Sequence, residues 1–129
     1  MKLIFVLSLC IILLINCDQG NPVQSQNNDP EIISLEAFPN LVNPLDSFIV
    51  ICETIDPDGD TLVYDWITGG RLKIKGTNDF VSYHNEKNTQ IFYTPDTVYH
   101  YVDTLGIWCD VRDVKGGGDS KLILIFLSK

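Results

Sequence analysis

The stretch Glu53 to Trp66, ETIDPDGDTLVYDW, sets Asp56, Asp58 and Asp60 within five positions. Hard carboxylate oxygens gathered so closely are what Ca²⁺ selects, and a bound ion would relieve their mutual repulsion. An EF-hand is excluded. Counted from Asp56, the loop positions that need Gly and a bidentate Glu hold Thr61 and Ile67. The competing reading is a tight turn, with Asp56, Pro57, Asp58 and Gly59 at the first to fourth positions of type I. The sequence leaves both readings open.

Other chemistry is sparse. The chain has no glycine-rich phosphate loop, no GxSxG and no HExxH, and neither His84 nor His100 stands near a nucleophile in sequence. These absences point away from an enzyme and leave the two histidines as exposed or edge-strand residues. Phe92, Tyr93, Tyr99 and Tyr101 form an aromatic group that is either a stacking platform for sugar or peptide, or strand core with an exposed edge.

The N-terminus must be set aside before a fold is read. Lys2 precedes an apolar run from Leu3 to Ile15, the charged and hydrophobic regions of an export signal. The run is too short for the ~20 residues of a stable membrane span. It ends in LINC, Leu14 to Cys17, which resembles the lipobox of bacterial lipoproteins. That resemblance implies cleavage after residue 16, acylation of Cys17, and a chain held at the cell envelope by a lipid anchor, where each buried methylene contributes about 0.8 kcal/mol. Asp18 to Pro30, DQGNPVQSQNNDP, lacks periodicity and apolar content and reads as a flexible tether. The expected organisation is signal peptide 1–16, lipidated cysteine and tether 17–30, and one folded domain 31–129. The formal net charge of -8 disfavours nucleic acid and anionic lipid headgroups as partners.

Cys10 leaves with the signal and Cys17 carries lipid, so Cys52 and Cys109 remain in the folded part. A zinc site lacks ligands. In an oxidising compartment a disulfide between them is the natural outcome, closing a loop of about 57 residues for roughly 4 kcal/mol. The folded region is a series of short segments rich in Val, Ile, Thr and aromatics: IISLEA, SFIVICET, TLVYDWI, RLKIK, FVSYH, TQIFYT, LGIWCDVRD and KLILIFLS. Turn residues punctuate them, as in FPNLVNPLD, DPDGD and KGGGD. An all-β sandwich follows. With Cys52 and Cys109 inward, the two-residue period turns Phe48, Val50, Ile107 and Val111 inward too. Trp66 carries Tyr64 and Leu62 with it, and Asp65, Asp110 and Arg112 face solvent. The last strand is apolar on both faces, which predicts either a covered outer surface or shielding by Lys73 and Lys121.

The order Cys52, Trp66, Cys109 resembles an Ig-like domain. The sequence DPDGDTLVYDW, followed by YTP and then CDVRDVKGGG, is similar to PKD-type and related Ig-like modules of bacterial surface proteins. This resemblance implies an Ig-like, PKD-like two-sheet Greek-key sandwich. It also implies that the DPDGD loop lies near the end of the strand bearing Asp110 and Asp113, so the calcium reading takes Asp56, Asp58, Asp60 and Asp113 as ligands. The expected function is a non-catalytic envelope module that binds a protein or glycan, or serves as an accessory subunit of a surface assembly. The alternatives are a structural spacer and a calcium-stabilised adhesion domain.

Overall fold

A computed structural model describes residues 26–43, 45–69, 72–76, 82–85, 87–94 and 103–128. Cys10, Cys17, Tyr99, His100 and Tyr101 lie outside the described residues, and only the backbone of His84 is described. The described chain forms nine strands: β1 (Glu31–Phe38), β2 (Leu41–Val42), β3 (Ser47–Ile55), β4 (Leu62–Ile67), β5 (Lys73–Ile74), β6 (Ser82–Asn85), β7 (Thr89–Tyr93), β8 (Thr104–Asp113) and β9 (Gly118–Leu127). There is no helix among the described residues.

The strands make two sheets, in the orders β1-β3-β7-β5 and β2-β9-β8-β4-β6. Among the described strands, every connection from β1 to β8 passes from one sheet to the other and only the β8–β9 hairpin stays within one, as in an Ig-like two-sheet sandwich. Each expected segment supplies a strand, although RLKIK yields only Lys73–Ile74. One expectation fails. FPNLVNPLD was read as punctuation, yet its Leu41–Val42 pairs in parallel with Phe126–Leu127. A two-residue strand has no period to detect, and the pairing that fixes it comes from the far end of the chain.

The alternation holds where a face is buried. Phe48, Val50, Cys52, Tyr64, Trp66, Ile107, Cys109 and Val111 are all buried, and Leu62 packs against them half-covered. Trp66 sits opposite Cys109 in the β4–β8 register. Its ring meets Phe92 edge-on with centroids 6.0 Å apart, and Phe92 stacks on Phe48 at 5.8 Å. Phe92 is therefore core rather than platform. The Trp66 Nε1–H donates to the Lys87 carbonyl at 3.4 Å, and Tyr64 Oη meets Thr54 Oγ1 at 2.7 Å, so each large ring keeps its polar end satisfied. Burial pushes the Tyr64 phenol above its ordinary range.

Candidate functional site

Two regions bring chemistry-bearing side chains together. The first is the end of the sandwich where the β3–β4 and β8–β9 turns meet. The DPDGD turn forms as expected: Gly59 N donates to Asp56 O at 3.2 Å, and Gly59 takes φ +71°. Asp56 Oδ1 accepts from the backbone N–H groups of Asp58 and Asp60 at 2.9 and 3.0 Å. Carboxylate oxygens of Asp56, Asp58 and Asp60 lie within 4.8 Å of one another.

Asp113 reaches the same end, but its oxygens are already engaged. It is 7% exposed, and it accepts from Asn27 Nδ2 at 2.7 Å, Lys115 N at 2.7 Å and Gly117 N at 2.9 Å. The Asn27 amide, ahead of the backbone donors, holds its carboxyl below the ordinary range. Asp110, expected here too, points from the sheet face and accepts from Ser120 Oγ at 2.6 Å.

The segment read as the end of the tether contributes most of what sequence reasoning missed. Asn28 donates its backbone N–H and its Nδ2 to Asp58, at 2.7 and 3.0 Å, and thereby holds that carboxyl below its ordinary range. Pro30 is buried. A Cβ at Gly117 would stand 2.5 Å from Asp29 Oδ1, 2.6 Å from Asp113 Oδ2 and 3.0 Å from Asn27 Nδ2. Only glycine leaves room there for residues 27–29 to lie against the turn. A tract of asparagines and aspartates gives no periodic signal, because its partners are 30 to 86 positions away.

Lys115 Nζ lies 2.9 Å from Asp60 Oδ2 and supplies the one described ion pair at this end. Asp60 holds the ammonium above its ordinary range. Two buried oxygens here accept no hydrogen bond, Asn27 Oδ1 and Asp56 Oδ2, while Asp60 Oδ2 meets only the Lys115 ammonium. All are hard donors of the kind that Ca²⁺ takes.

The second region is the outer face of the five-stranded sheet. The β8–β9 register sets its rows: Arg112 beside Gly118, Asp110 beside Ser120, Trp108 beside Leu122, Gly106 beside Leu124, and Thr104 beside Phe126. Across β4, Asp65 pairs with Asp110 and Ile67 with Trp108. The half nearest the acidic end is polar, with an Arg112–Asp65 ion pair and the Ser120–Asp110 hydrogen bond. An open depression of about 450 Å³ lies at this end of β8 and β9, lined by Asp110, Val111, Arg112, Gly118, Asp119 and Ser120. The other half is apolar, and Trp108, 46% exposed, stands at the border.

Cys52 on β3 and Cys109 on β8 face each other across the core, fully buried and joined by a thiol hydrogen bond. That bond and burial push the Cys109 thiol far above its ordinary range. Neither sulfur is placed to act as an exposed nucleophile.

No family model matches the sequence, and none of the curated proteins compared with it aligns. Solved structures do match in fold. One comes from work on the promiscuous specificity of carbohydrate-binding modules of the β-sandwich superfamily. It is 20% identical with a TM-score of 0.59, covering 81% of this chain and 36% of its own. Another is a nucleoside hydrolase-related hypothetical protein from Saccharophagus degradans associated with carbohydrate metabolism, 14% identical with a TM-score of 0.57, covering 79% of this chain and 26% of its own. This chain thus spans about a third or less of these neighbours, and the likeness establishes the β-sandwich.

Proposed function

We propose that this protein is a non-catalytic glycan-binding module, exported and held at the cell envelope by acyl chains on Cys17. The observation that carries the glycan reading is Trp108 on the outer sheet face, flanked by Ile67 and Leu122, with Asp65, Asp110 and Ser120 in the next outward row and Arg112 in the one beyond. An exposed indole offers an apolar platform to the C–H face of a pyranose ring. The neighbouring carboxylates, hydroxyl and guanidinium supply acceptors and donors for sugar hydroxyls. The occurrence of carbohydrate-binding modules among the fold neighbours supports this reading. With a net charge of -8, neutral glycans fit better than anionic ones. Screening the protein on an array of neutral and acidic oligosaccharides tests the proposal. Neutral ligands are expected to bind, and Trp108→Ala to weaken them roughly tenfold or more. Silence across the array, or binding that ignores Trp108, overturns it.

A second reading concerns the acidic end, where Ca²⁺ would be held by Asp56, Asp58 and Asp60. The orphaned oxygens of Asp56 and Asn27 favour it, and Asn27 would stand in for Asp113, whose oxygens are taken. A bound ion would stiffen the end where residues 27–29 join the domain. Thermal melts with Ca²⁺ and with chelator check this, since an ion bound to the folded state raises the midpoint by mass action.

A further inference from the structure

Strand β1 lies at the edge of its sheet, and β2 covers only Phe126 and Leu127 of the ten residues of β9. Two backbone edges are thus left open side by side. Phe126 N donates to Asn40 O on the β2 side and Leu127 N to Asp103 O on the β8 side, so by alternation Leu122 and Leu124 turn their N–H and C=O groups to the open edge. Cys52 N donates to Asn88 O, away from β1, so its register partner Leu35, and Ala37 two residues on, turn theirs away from β3. Among the described residues no hydrogen bond reaches these four on their open sides. The two edges are tied at both ends and stand apart between. Near the acidic end Asp119 Oδ2 accepts from Ile32 N at 2.8 Å, and Lys121, expected to shield the outer face of β9, instead donates to the Ile33 carbonyl at 3.3 Å. Lys73, the other lysine expected there, belongs to the other sheet. At the far end Phe126 N meets Asn40 O at 2.8 Å. The slot between the ties, about 300 Å³, is walled by Leu35, Ala37, Phe38, Ile123 and Leu124, and Glu36 is its one charged group.

We infer that this slot takes an extended, basic peptide strand of a partner protein, hydrogen-bonded along the β9 edge. The open groups select that chemistry. Residues two apart on β9 repeat their N–H and C=O every ~6.6–6.8 Å, and an extended main chain returns acceptors and donors at the same interval. Acyl chains carry neither group, and a glycan presents hydroxyls rather than fixed amide pairs. Apolar side chains on the inward face of the added strand meet Leu35, Ala37 and Ile123. Its outward positions favour Lys or Arg, because Glu36 stands in the wall of a molecule with net charge -8. Residues 122–125, between the ties, span only about 13 Å at ~3.3 Å per residue, so the added strand is short and its binding weak.

The test is fluorescence anisotropy of the full chain, purified in detergent, with labelled hexapeptides. A peptide of alternating Val and Lys is expected to bind. A block peptide of the same composition loses the two faces, and an alternating peptide N-methylated at every amide loses the donors, so each is expected to bind roughly tenfold or more weaker. Ala37→Leu, which narrows the slot, and Leu124→Pro, which removes one open N–H that plays no part in the β8 ladder, are each expected to weaken the alternating peptide by a similar factor. Equal binding of the block or methylated peptide, no saturation at millimolar peptide, or undiminished binding by a folded variant overturns the inference. The peptide comparisons need only the parent chain, so they decide the matter even where a variant fails to fold. The glycan reading is scored on Trp108 with oligosaccharides, and either can fail without the other.

Discussion

Between Cys52 and Cys109 the sheets meet through neutral side chains that exclude water, whereas at the Asp56–Asp60 turn carboxylates are kept in place by directed hydrogen bonds from a remote segment. The core is held by area and shape, so each large side chain contributes much and salt or pH little. The acidic end is held by individual donors, whose contribution depends on the ionisation of their partners. Substitutions should therefore show large, pH-insensitive effects at the centre and small, pH-sensitive ones at the rim. Trp66 gives the largest. It is fully buried against Phe92 and beside Cys109, and Trp66→Ala is expected to cost about 3–5 kcal/mol in denaturant unfolding. A loss under 1 kcal/mol would mean that the two sheets are held together elsewhere.

The thiol pair comes next. We propose that Cys52 and Cys109 are oxidised after export, because they already face each other and no polar group competes for either sulfur. Reduction, or replacement of both by Ala, is then expected to lower stability by up to about 4 kcal/mol. Mass mapping under non-reducing conditions should recover one joined peptide pair. Two free thiols in exported protein would leave the centre to packing alone.

The same contrast explains what the sequence made legible. Period-two alternation identified Phe48, Val50, Tyr64, Trp66, Ile107 and Val111 as core, because burial on one face acts on every second residue of a long strand. The turn at Asp56–Gly59 was legible because Pro and Gly impose local backbone preferences. What stayed hidden depends on partners distant in sequence. Asn27 and Asn28 look like tether until Asp113 and Asp58 are placed beside them, and Leu41–Val42 becomes a strand only when β9 arrives. Trp108, on which the glycan proposal rests, went unremarked for another reason. It lies in the same segment as Cys109, and alternation says which face a residue takes but not what lies next to it.

The rim predictions are smaller and turn on protonation. Asn27 and Asn28 hold the Asp113 and Asp58 carboxyls below their ordinary range. A carboxyl with a depressed folded value contributes stability that is fully present above the unfolded value of about 3.9 and is lost as pH falls through the folded one. The melting midpoint is therefore expected to drop on acidification below about pH 4. In Asn27→Ala that drop should shrink by a few degrees, because the Asp113 carboxyl returns toward its ordinary value. Parallel melts at neutral and acid pH check this, and an unchanged acid response in the variant would show that Asn27 does not govern Asp113.

The smallest effect separates calcium from a turn balanced by its own lysine. Lys115 Nζ stands 2.9 Å from Asp60 Oδ2, where a divalent ion would also draw on that oxygen, so ammonium and Ca²⁺ compete for one carboxylate. Half-exposed ion pairs of this kind contribute little, and in chelator Lys115→Met is expected to lower the midpoint by only about a degree or two. With Ca²⁺ present the sign reverses. Removing the competing cation leaves Asp56, Asp58 and Asp60 without a counter-charge, so the calcium-induced rise should be larger in Lys115→Met than in the parent chain. If neither protein responds to millimolar Ca²⁺, Lys115 is the only cation that these carboxylates use, and the orphaned oxygens of Asp56 and Asn27 are solvated by water instead.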